Sequence, residues 1–418
     1  MPARPVLVDT TRLLTRLKHR NPTGIDRVDL AYARRYLVGP EDAALAATRF
    51  GMRMMPDPRL RVLLDRIDAR WSESLAAADD PVLASVRRRL AGEPEPPAEA
   101  GRRRARATLG SRLDEELFNA GAFRWPQAAT APRDAIYLHT SHLRLDRPHL
   151  FAWLDERPDV RPVFFVHDLI PIEYPEYGVP GEDARHRVRM TTVATRAAAV
   201  IANSEDVARR LGAFLGREGL PRPPIMAAPL GVETTFLSGP SRSDGRAPYF
   251  LICSTIEARK NHLILLQVWR ELAARLGDAT PKLVVVGRRG WESEAAIDML
   301  DRCPGVRAHV IETAAISTAG LAELMAGARA LLMPSFAEGY GIPIVEALSL
   351  GTPVIASDIP VHREVAGERA TFLHPLDGPG WRDAVLALAR TPRPAPAPYA
   401  PPTWQDHFAI VDAVLERL

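Results

Sequence analysis

Short apolar runs of about five residues recur along the chain, each followed by a polar loop and then a stretch with apolar residues three and four apart. In the first half the runs are Pro5–Asp9, Ala135–His139, Arg161–His167 and Ala198–Asn203. RPVFFVH is apolar along most of its length, as a strand covered on both faces should be. A polar loop, Lys18–Asp26, leads into a helical pattern through Val28, Leu30, Ala31 and Leu37. Ser204, followed by Asp206, has the look of a helix N-cap. In the second half the runs are Tyr249–Cys253, Lys282–Val286, Ala308–Ile311, Ala328–Met333 and Val354–Ala356, with helical patterns such as His262–Leu276 and Leu321–Ala326 between them. Strands alternating with helices predict an α/β protein with parallel sheets covered on both faces.

Two interruptions divide the series. LSGPSRSDGRAP, residues 237–248, has the Ser/Gly/Pro content of a linker. It sets a domain 1–238 apart from a domain 239–403. Thr391–Pro402 is proline-rich and precedes a last helix, Trp404–Leu418, which is placed to cross back onto the first domain. Residues of about 53–124 break the alternation and predict a helical surface insertion with a mobile loop around the Pro/Glu-rich patch at Glu93–Ala98.

The length of 418 residues suits two domains. Hydrophobic residues at 46% and charged residues at 25% fit a globular chain. No apolar run approaches the roughly 20 residues needed to span a bilayer, and the N-terminus lacks a signal-peptide pattern. Cys253 and Cys303 are too few for a disulfide framework. These features predict a cytoplasmic protein. The net charge is +3, and only three of 54 cations are lysine: Lys18, Lys260 and Lys282. Eight arginines lie between Arg87 and Arg112. They have no interleaved aromatics to stack on bases, so nucleic acid is not the expected partner. A solvated helix is the plain reading, with peripheral contact to an anionic inner-membrane surface, or to a polyprenyl-linked acceptor, as the functional one.

The stretch richest in chemistry is PSFAEGYGIPIVEALSLGTPVIASD, residues 334–358. A strand end is followed by a loop carrying Glu338, Gly339, Tyr340 and Gly341, then by a helix with Ile342 and Pro343 in its first turn and Gly351 at its stop. Ligands of open α/β sheets bind at such strand ends, and the free N–H groups of a helix start can hold phosphate or a sugar oxygen. Glu338 and Glu346 stand eight apart. A carboxylate that accepts two hydrogen bonds suits neighbouring sugar hydroxyls. The plain alternative for Glu346 is a dipole-favoured glutamate in a first turn. STIEARKN, from Ser254, places adjacent Arg259 and Lys260 at another strand end. A diphosphate leaving group needs such a pair, whereas cations opening a solvated helix would oppose its dipole. VHDLIPIEYPEY puts His167 and Asp168 at the edge of the first-half sheet. TGIDR, from Thr23, offers Gly24 for close backbone approach, a weak signal alone. No His/Cys ligand spacing, Asp-x-Asp, G-x-S-x-G or G-x-G-x-x-G appears, so neither a metal nor a redox cofactor is expected.

Together these segments resemble the retaining glycosyltransferases of the GT-B fold, glycosyltransferase family 4, most strongly over Tyr249–Pro375. The E-x7-E pair, TIEARKN, the GRRGW string at Gly287 and the HDLIP turn carry the likeness. The bacterial mannosyl- and rhamnosyltransferases of surface polysaccharides are its nearest branches. The resemblance implies two Rossmann-like domains with a donor cleft between them. It implies that Glu346 holds the donor ribose and that Glu338 meets the transferred sugar. Arg259 and Lys260 would neutralise the diphosphate, and His167 would reach the sugar from the opposite domain. Gly339, Tyr340, Gly341, Ile342, Ser254, Gly287 and Gly24 would line the donor. A GDP-linked mannose donor and a glycan or lipid-linked acceptor are expected. UDP- or dTDP-linked glucosyl, GlcNAc or rhamnosyl donors, and a non-catalytic nucleotide- or glycan-binding protein, are the alternatives. Two departures bear on the site: Thr255 stands where some relatives have an arginine, and Thr23-Gly24 where many have two glycines.

Overall fold

The computed structural model describes residues 4–17, 22–72, 77–93, 121–237, 248–396 and 398–418. The linker expected at 237–248 and the arginine-rich segment beyond residue 93 lie almost wholly outside the described residues. Seven strands form the first sheet: β1 (Val6–Asp9), β2 (Ala43–Thr48), β3 (Gly51–Met55), β4 (Ile136–His139), β5 (Arg161–Val166), β6 (Ala199–Ala202) and β7 (Ile225–Ala227). Their order is β3-β2-β1-β4-β5-β6-β7, parallel except for the β2–β3 hairpin. Six strands form the second: β8 (Tyr249–Cys253), β9 (Lys282–Val286), β10 (Val310–Thr313), β11 (Leu331–Met333), β12 (Val354–Ser357) and β13 (Ala370–Leu373). Their order is β10-β9-β8-β11-β12-β13, parallel throughout.

The structure departs from the sequence expectations where local chemistry competes with hydrophobic pattern. The strand expected at Ala308–Ile311 starts later, because Pro304 opens a one-and-a-half-turn helix, Pro304–His309, ahead of β10. The expected loop Lys18–Asp26 ends at residue 23. Thr23 Oγ1 accepts from the Asp26 N–H while Asp26 Oδ2 accepts from the Thr23 N–H at 2.7 Å, a capping box that starts the Gly24–Tyr36 helix. The insertion expected from residue 53 begins with an antiparallel edge strand, β3, and turns helical only at Asp57.

Apolar packing joins the two sheets. Tyr32, Tyr36 and Phe165 share one buried cluster with Leu251, Tyr340, Ile344, Phe408 and Val411. The last helix, Trp404–Leu415, lies on the first domain: Tyr32 Oη is 2.9 Å from His407 Nε2, and Tyr36 Oη donates to Asp412 Oδ1 at 2.7 Å. The Pro81–Leu90 helix of the insertion crosses the other way. Leu83, Val86 and Leu90 pack in the cluster that holds Ile316 and Leu321. Asp80 Oδ2 accepts from the Ser317 N–H at 2.8 Å, and Arg87 pairs with Glu323. Among the described residues no helix is long and apolar enough to cross a membrane.

Candidate active site

The loops leaving β8 and β11 meet at the C-terminal edge of the second sheet. Asn261 holds them together. It adopts a left-handed conformation, φ 54°, and its Nδ2 donates to the carbonyls of Pro334 at 3.1 Å and Pro375 at 2.7 Å. The Phe336 N–H adds a bond to the Arg259 carbonyl, 2.8 Å. This joining brings Arg259 and Lys260 to Glu338. Arg259 Nη1 lies 3.0 Å from Glu338 Oε2, Lys260 Nζ pairs with Oε1, and Ser335 Oγ donates to Oε1 at 2.8 Å. Glu257 Oε1 takes the Arg259 Nε at 2.7 Å.

Glu338 is buried, while Arg259 and Lys260 are half-buried, with 23% and 12% of their side chains exposed. Burial alone would raise the Glu338 pKa, but Lys260 and Arg259 outweigh it and hold the carboxyl well below the usual carboxylate range. Lys260 is pulled down from its ordinary value by burial and by Arg259, with Glu338 opposing. Burial acts against the charged Arg259 too, yet Glu338 and Glu257 raise its pKa. Two cations thus share a largely water-excluded site with two carboxylates, Glu338 and Glu257. An incoming diphosphate can take over that positive charge.

A second ionic group lies across the domain cleft. Glu346, in the Ile342–Ser349 helix, receives Arg27 Nη1 at 2.9 Å, and Arg27 Nε reaches Glu233 Oε1 at 3.0 Å. Burial pushes the Glu346 carboxyl up to about 7; Arg27 opposes, and the nearby Glu233 charge adds to the rise. Burial leads, and the sharing of one guanidinium between two carboxylates limits how far Arg27 can offset it. Burial works against the Arg27 charge, but the two glutamates raise its pKa.

The remaining expected residues divide into two groups. Gly339, Gly341, Ile342, Gly24 and His167 converge. A Cβ on Gly339 would lie 2.3 Å from the His167 carbonyl, and one on Gly24 would lie 2.7 Å from Ile342 Cδ1. Gly341, at φ 99°, caps the start of the Ile342–Ser349 helix. The imidazole of His167 is anchored to its own domain through one nitrogen: Nε2 is 2.8 Å from the Thr140 carbonyl, and the ring stacks on Phe165. Burial pushes its pKa down to about 4, with the Thr140 carbonyl and Asp168 opposing. Three others hold the framework. Tyr340 Oη donates to the Leu230 carbonyl at 3.2 Å. Gly287 is a glycine because the Ser254 carbonyl would lie 1.8 Å from its Cβ, and Ser254 Oγ faces His262 Nε2 at 3.4 Å.

Sequence reasoning missed Arg27, Glu233 and Glu364. Glu364 accepts from the N–H groups of Glu205, 2.7 Å, and Asp206, 2.9 Å, so a second-domain carboxylate caps a first-domain helix. Arg27 stood in the TGIDR string beside Gly24, but its partners are more than 200 residues away, and no local spacing announces them.

Known proteins resemble this chain in sequence and in fold. Residues 247–391 match the family model described as Glycosyl transferases group 1. The serotype-specific mannosyltransferase WbdA of Escherichia coli is 30% identical over 224 residues, which cover 50% of this chain and 27% of that protein. O-antigen chain mannosyltransferase B of Escherichia coli is 36% identical over 130 residues, covering 31% of this chain and 33% of that one. The chain therefore spans about a quarter to a third of the length of these curated relatives. In three dimensions, Anabaena Alr3699/HepE, crystallised with UDP-glucose, matches with a TM-score of 0.58 at 15% identity, over 99% of this chain and 93% of the other.

Proposed function

We propose, from a chain that carries a glycosyl transferases group 1 domain on a GT-B fold, that it is a retaining hexosyltransferase of bacterial surface-polysaccharide synthesis. It moves a hexose, with mannose from GDP-mannose as the first expectation, to a glycan or polyprenyl-linked acceptor. Mannosyl transfer draws support from the names of WbdA and the O-antigen enzyme. The observation that carries the reading is the Glu338–Lys260–Arg259 centre at the C-terminal strand edge.

In this reading the bond between the sugar C1 and the diphosphate oxygen breaks. The electron pair leaves on the diphosphate, where Lys260 and Arg259 stabilise it. The acceptor hydroxyl bonds to C1 on the face the diphosphate left, and its proton passes to the departing diphosphate. Glu346 accepts from the ribose hydroxyls, for which Arg27 must release it. His167 reaches the sugar with Nδ1, since its Nε2 is held by Thr140. With both cations on the leaving group, no metal is required. The enzyme works on the cytoplasmic side and meets its lipid-linked acceptor as a peripheral protein.

The test is a thermal-shift panel of GDP, UDP, dTDP and ADP and their sugar conjugates, with EDTA present. A ligand at about 100 times its Kd adds roughly 2.7 kcal/mol of apparent stability. Stabilisation by one base, followed by EDTA-resistant sugar transfer from the matching conjugate, supports the reading. Failure of every nucleotide to stabilise the protein sinks it.

A further inference from the structure

We infer that His362 reads a hydroxyl of the transferred sugar and so helps select which hexose the donor site accepts. This rests on the reading of the Glu338 centre as a sugar-donor site.

His362 lies in the Pro360–Ala366 helix that follows β12, and it is fully buried. Its Nδ1 is 3.0 Å from the Ser357 carbonyl. A carbonyl can only accept, so Nδ1 carries the proton and Nε2 presents a lone pair. That Nε2 has no hydrogen-bond partner among the described residues. The ring edge bearing it lies against the start of the Ile342–Ser349 helix: a Cβ on Gly341 would meet Cδ2 at 3.5 Å and Nε2 at 3.8 Å. Glu338 and Lys260 are close enough to act on its charge. Burial lowers the His362 pKa, with Glu338 and the Ser357 carbonyl opposing, which keeps the ring neutral and Nε2 an acceptor.

The capacity for hydrogen bonds at this centre is uneven. Glu338 already takes Arg259, Lys260 and Ser335. His362 is the neighbouring acceptor with an unfilled lone pair. A buried acceptor left without a donor costs free energy, and a ligand hydroxyl recovers it. The free diphosphate offers no donor to Nε2, because its oxygens only accept. A sugar hydroxyl does. His362 therefore discriminates at the sugar and leaves the nucleotide untouched. A site that hydrogen-bonds a hydroxyl rejects the analogue lacking it more strongly than an apolar pocket can.

The experiment compares wild type, His362→Phe and His362→Gln by titration calorimetry with GDP, GDP-mannose and a series of monodeoxy-mannose GDP donors. His362→Phe keeps a flat ring against Gly341 and removes the acceptor. His362→Gln can place an amide oxygen near Nε2. The expected result has three parts. His362→Phe binds GDP as wild type does and binds GDP-mannose about tenfold more weakly. His362→Gln recovers part of that loss. One deoxy donor binds wild type and His362→Phe alike, which identifies the hydroxyl. Equal affinity of wild type and His362→Phe for GDP-mannose overturns the inference. So does an equal loss of GDP and GDP-mannose in His362→Phe, which would make the histidine structural. If wild type binds neither GDP nor GDP-mannose, nor the UDP and dTDP pairs, the donor-site reading itself has failed, a result distinct from the other two.

Discussion

The two domains are built alike and store their polar groups differently. In the second domain the charged centre comes from contiguous strings. Arg259 and Lys260 are adjacent, Ser335 and Glu338 lie three apart, and both loops leave neighbouring parallel strands. In the first domain the buried polar groups are paired over long separations. Asp9 Oδ2 accepts from Tyr137 Oη at 2.8 Å and lies 3.2 Å from His139 Nδ1; Asp29 Oδ1 accepts from Thr140 Oγ1 at 2.7 Å. Asp26 takes Arg12 at 2.7 Å and Arg16 at 2.9 Å. The first arrangement sets two cations beside two carboxylates, Glu338 and Glu257, at the strand edge. The second is bonded mostly within its own domain, with Asp29 Oδ2 and His139 Nε2 left without hydrogen-bond partners among the described residues, and serves as framework. A buried charge is evidence of chemistry only when its partner can be exchanged for a ligand.

The sharpest test of that contrast is a matched pair. Lys260→Ala removes a charge from the leaving-group site, and kcat should fall about a thousandfold, or ~4 kcal/mol of barrier. Tyr137→Phe removes a buried hydroxyl from the first-domain network and should cost about 1 kcal/mol of stability with turnover changed less than tenfold. Steady-state kinetics with the donor found by the nucleotide panel checks both. Comparable losses of turnover from the two changes would erase the distinction between framework and site.

Arg27 belongs to neither class, because it sits in the first domain and serves carboxylates on both sides of the cleft. Arg27→Ala leaves Glu346 buried without its cation, and urea unfolding should show a loss of about 2–3 kcal/mol. The partial exposure of Glu233, 33%, keeps the figure below that of a fully enclosed pair. Restoring most of the loss with Arg27→Ala/Glu346→Gln would show that the stranded charge, and not a lost contact, is the cause. An additive double mutant would deny the coupling.

Glu346 also makes the site sensitive to pH. Its carboxyl rises from an ordinary 4.5 to about 7 in the folded protein. Between these values the folded chain holds a proton that the unfolded chain has released, so this group's contribution to stability declines as pH rises through the window. Donor binding runs the opposite way, since only the carboxylate accepts from two hydroxyls. Nucleotide affinity should therefore climb by up to roughly twenty-fivefold from pH 5.5 to 7.5, as the carboxylate fraction does. Glu346→Gln should flatten both trends. An unchanged slope in the variant would assign the pH dependence to another group.

How far the sequence revealed this molecule follows the same division. The strands Tyr249–Cys253 and Lys282–Val286 and the helix His262–Leu276 were legible to the residue, because fully buried parallel strands and a Gly277 stop leave strong signals. The E-x7-E string and the Arg-Lys pair placed the second-domain site for the same reason: its parts are local. Arg27, Glu233, Glu364 and His362 were hidden, since each takes its meaning from a neighbour in space rather than in sequence. His362 in particular reads as an ordinary helix residue until its one bonded nitrogen and its unpartnered one are both seen. The β2–β3 hairpin escaped notice because AALAATRFGMRMM carries little strand-forming chemistry apart from its turn at Gly51, φ 89°.

The smallest predicted effect concerns how tightly the domains are closed. Gly24 opens the first-domain helix opposite Ile342, and a Cβ there would press on Ile342 Cδ1 at 2.7 Å. That atom is the far end of a flexible side chain and can rotate away. Alanine also suits a helix better than glycine by roughly 0.5–1 kcal/mol. The two terms nearly cancel, so Gly24→Ala should change stability by less than about 0.5 kcal/mol and turnover by a few-fold at most. Gly339→Ala faces a backbone atom, the His167 carbonyl at 2.3 Å, which cannot rotate away. Small-angle scattering should show a larger radius of gyration for Gly339→Ala and an unchanged one for Gly24→Ala. Expansion of both variants would mean that Ile342 has no room to yield and that the cleft is closed as tightly at Gly24 as at His167. Expansion of neither would mean that the loop at Gly339 adjusts within its own domain.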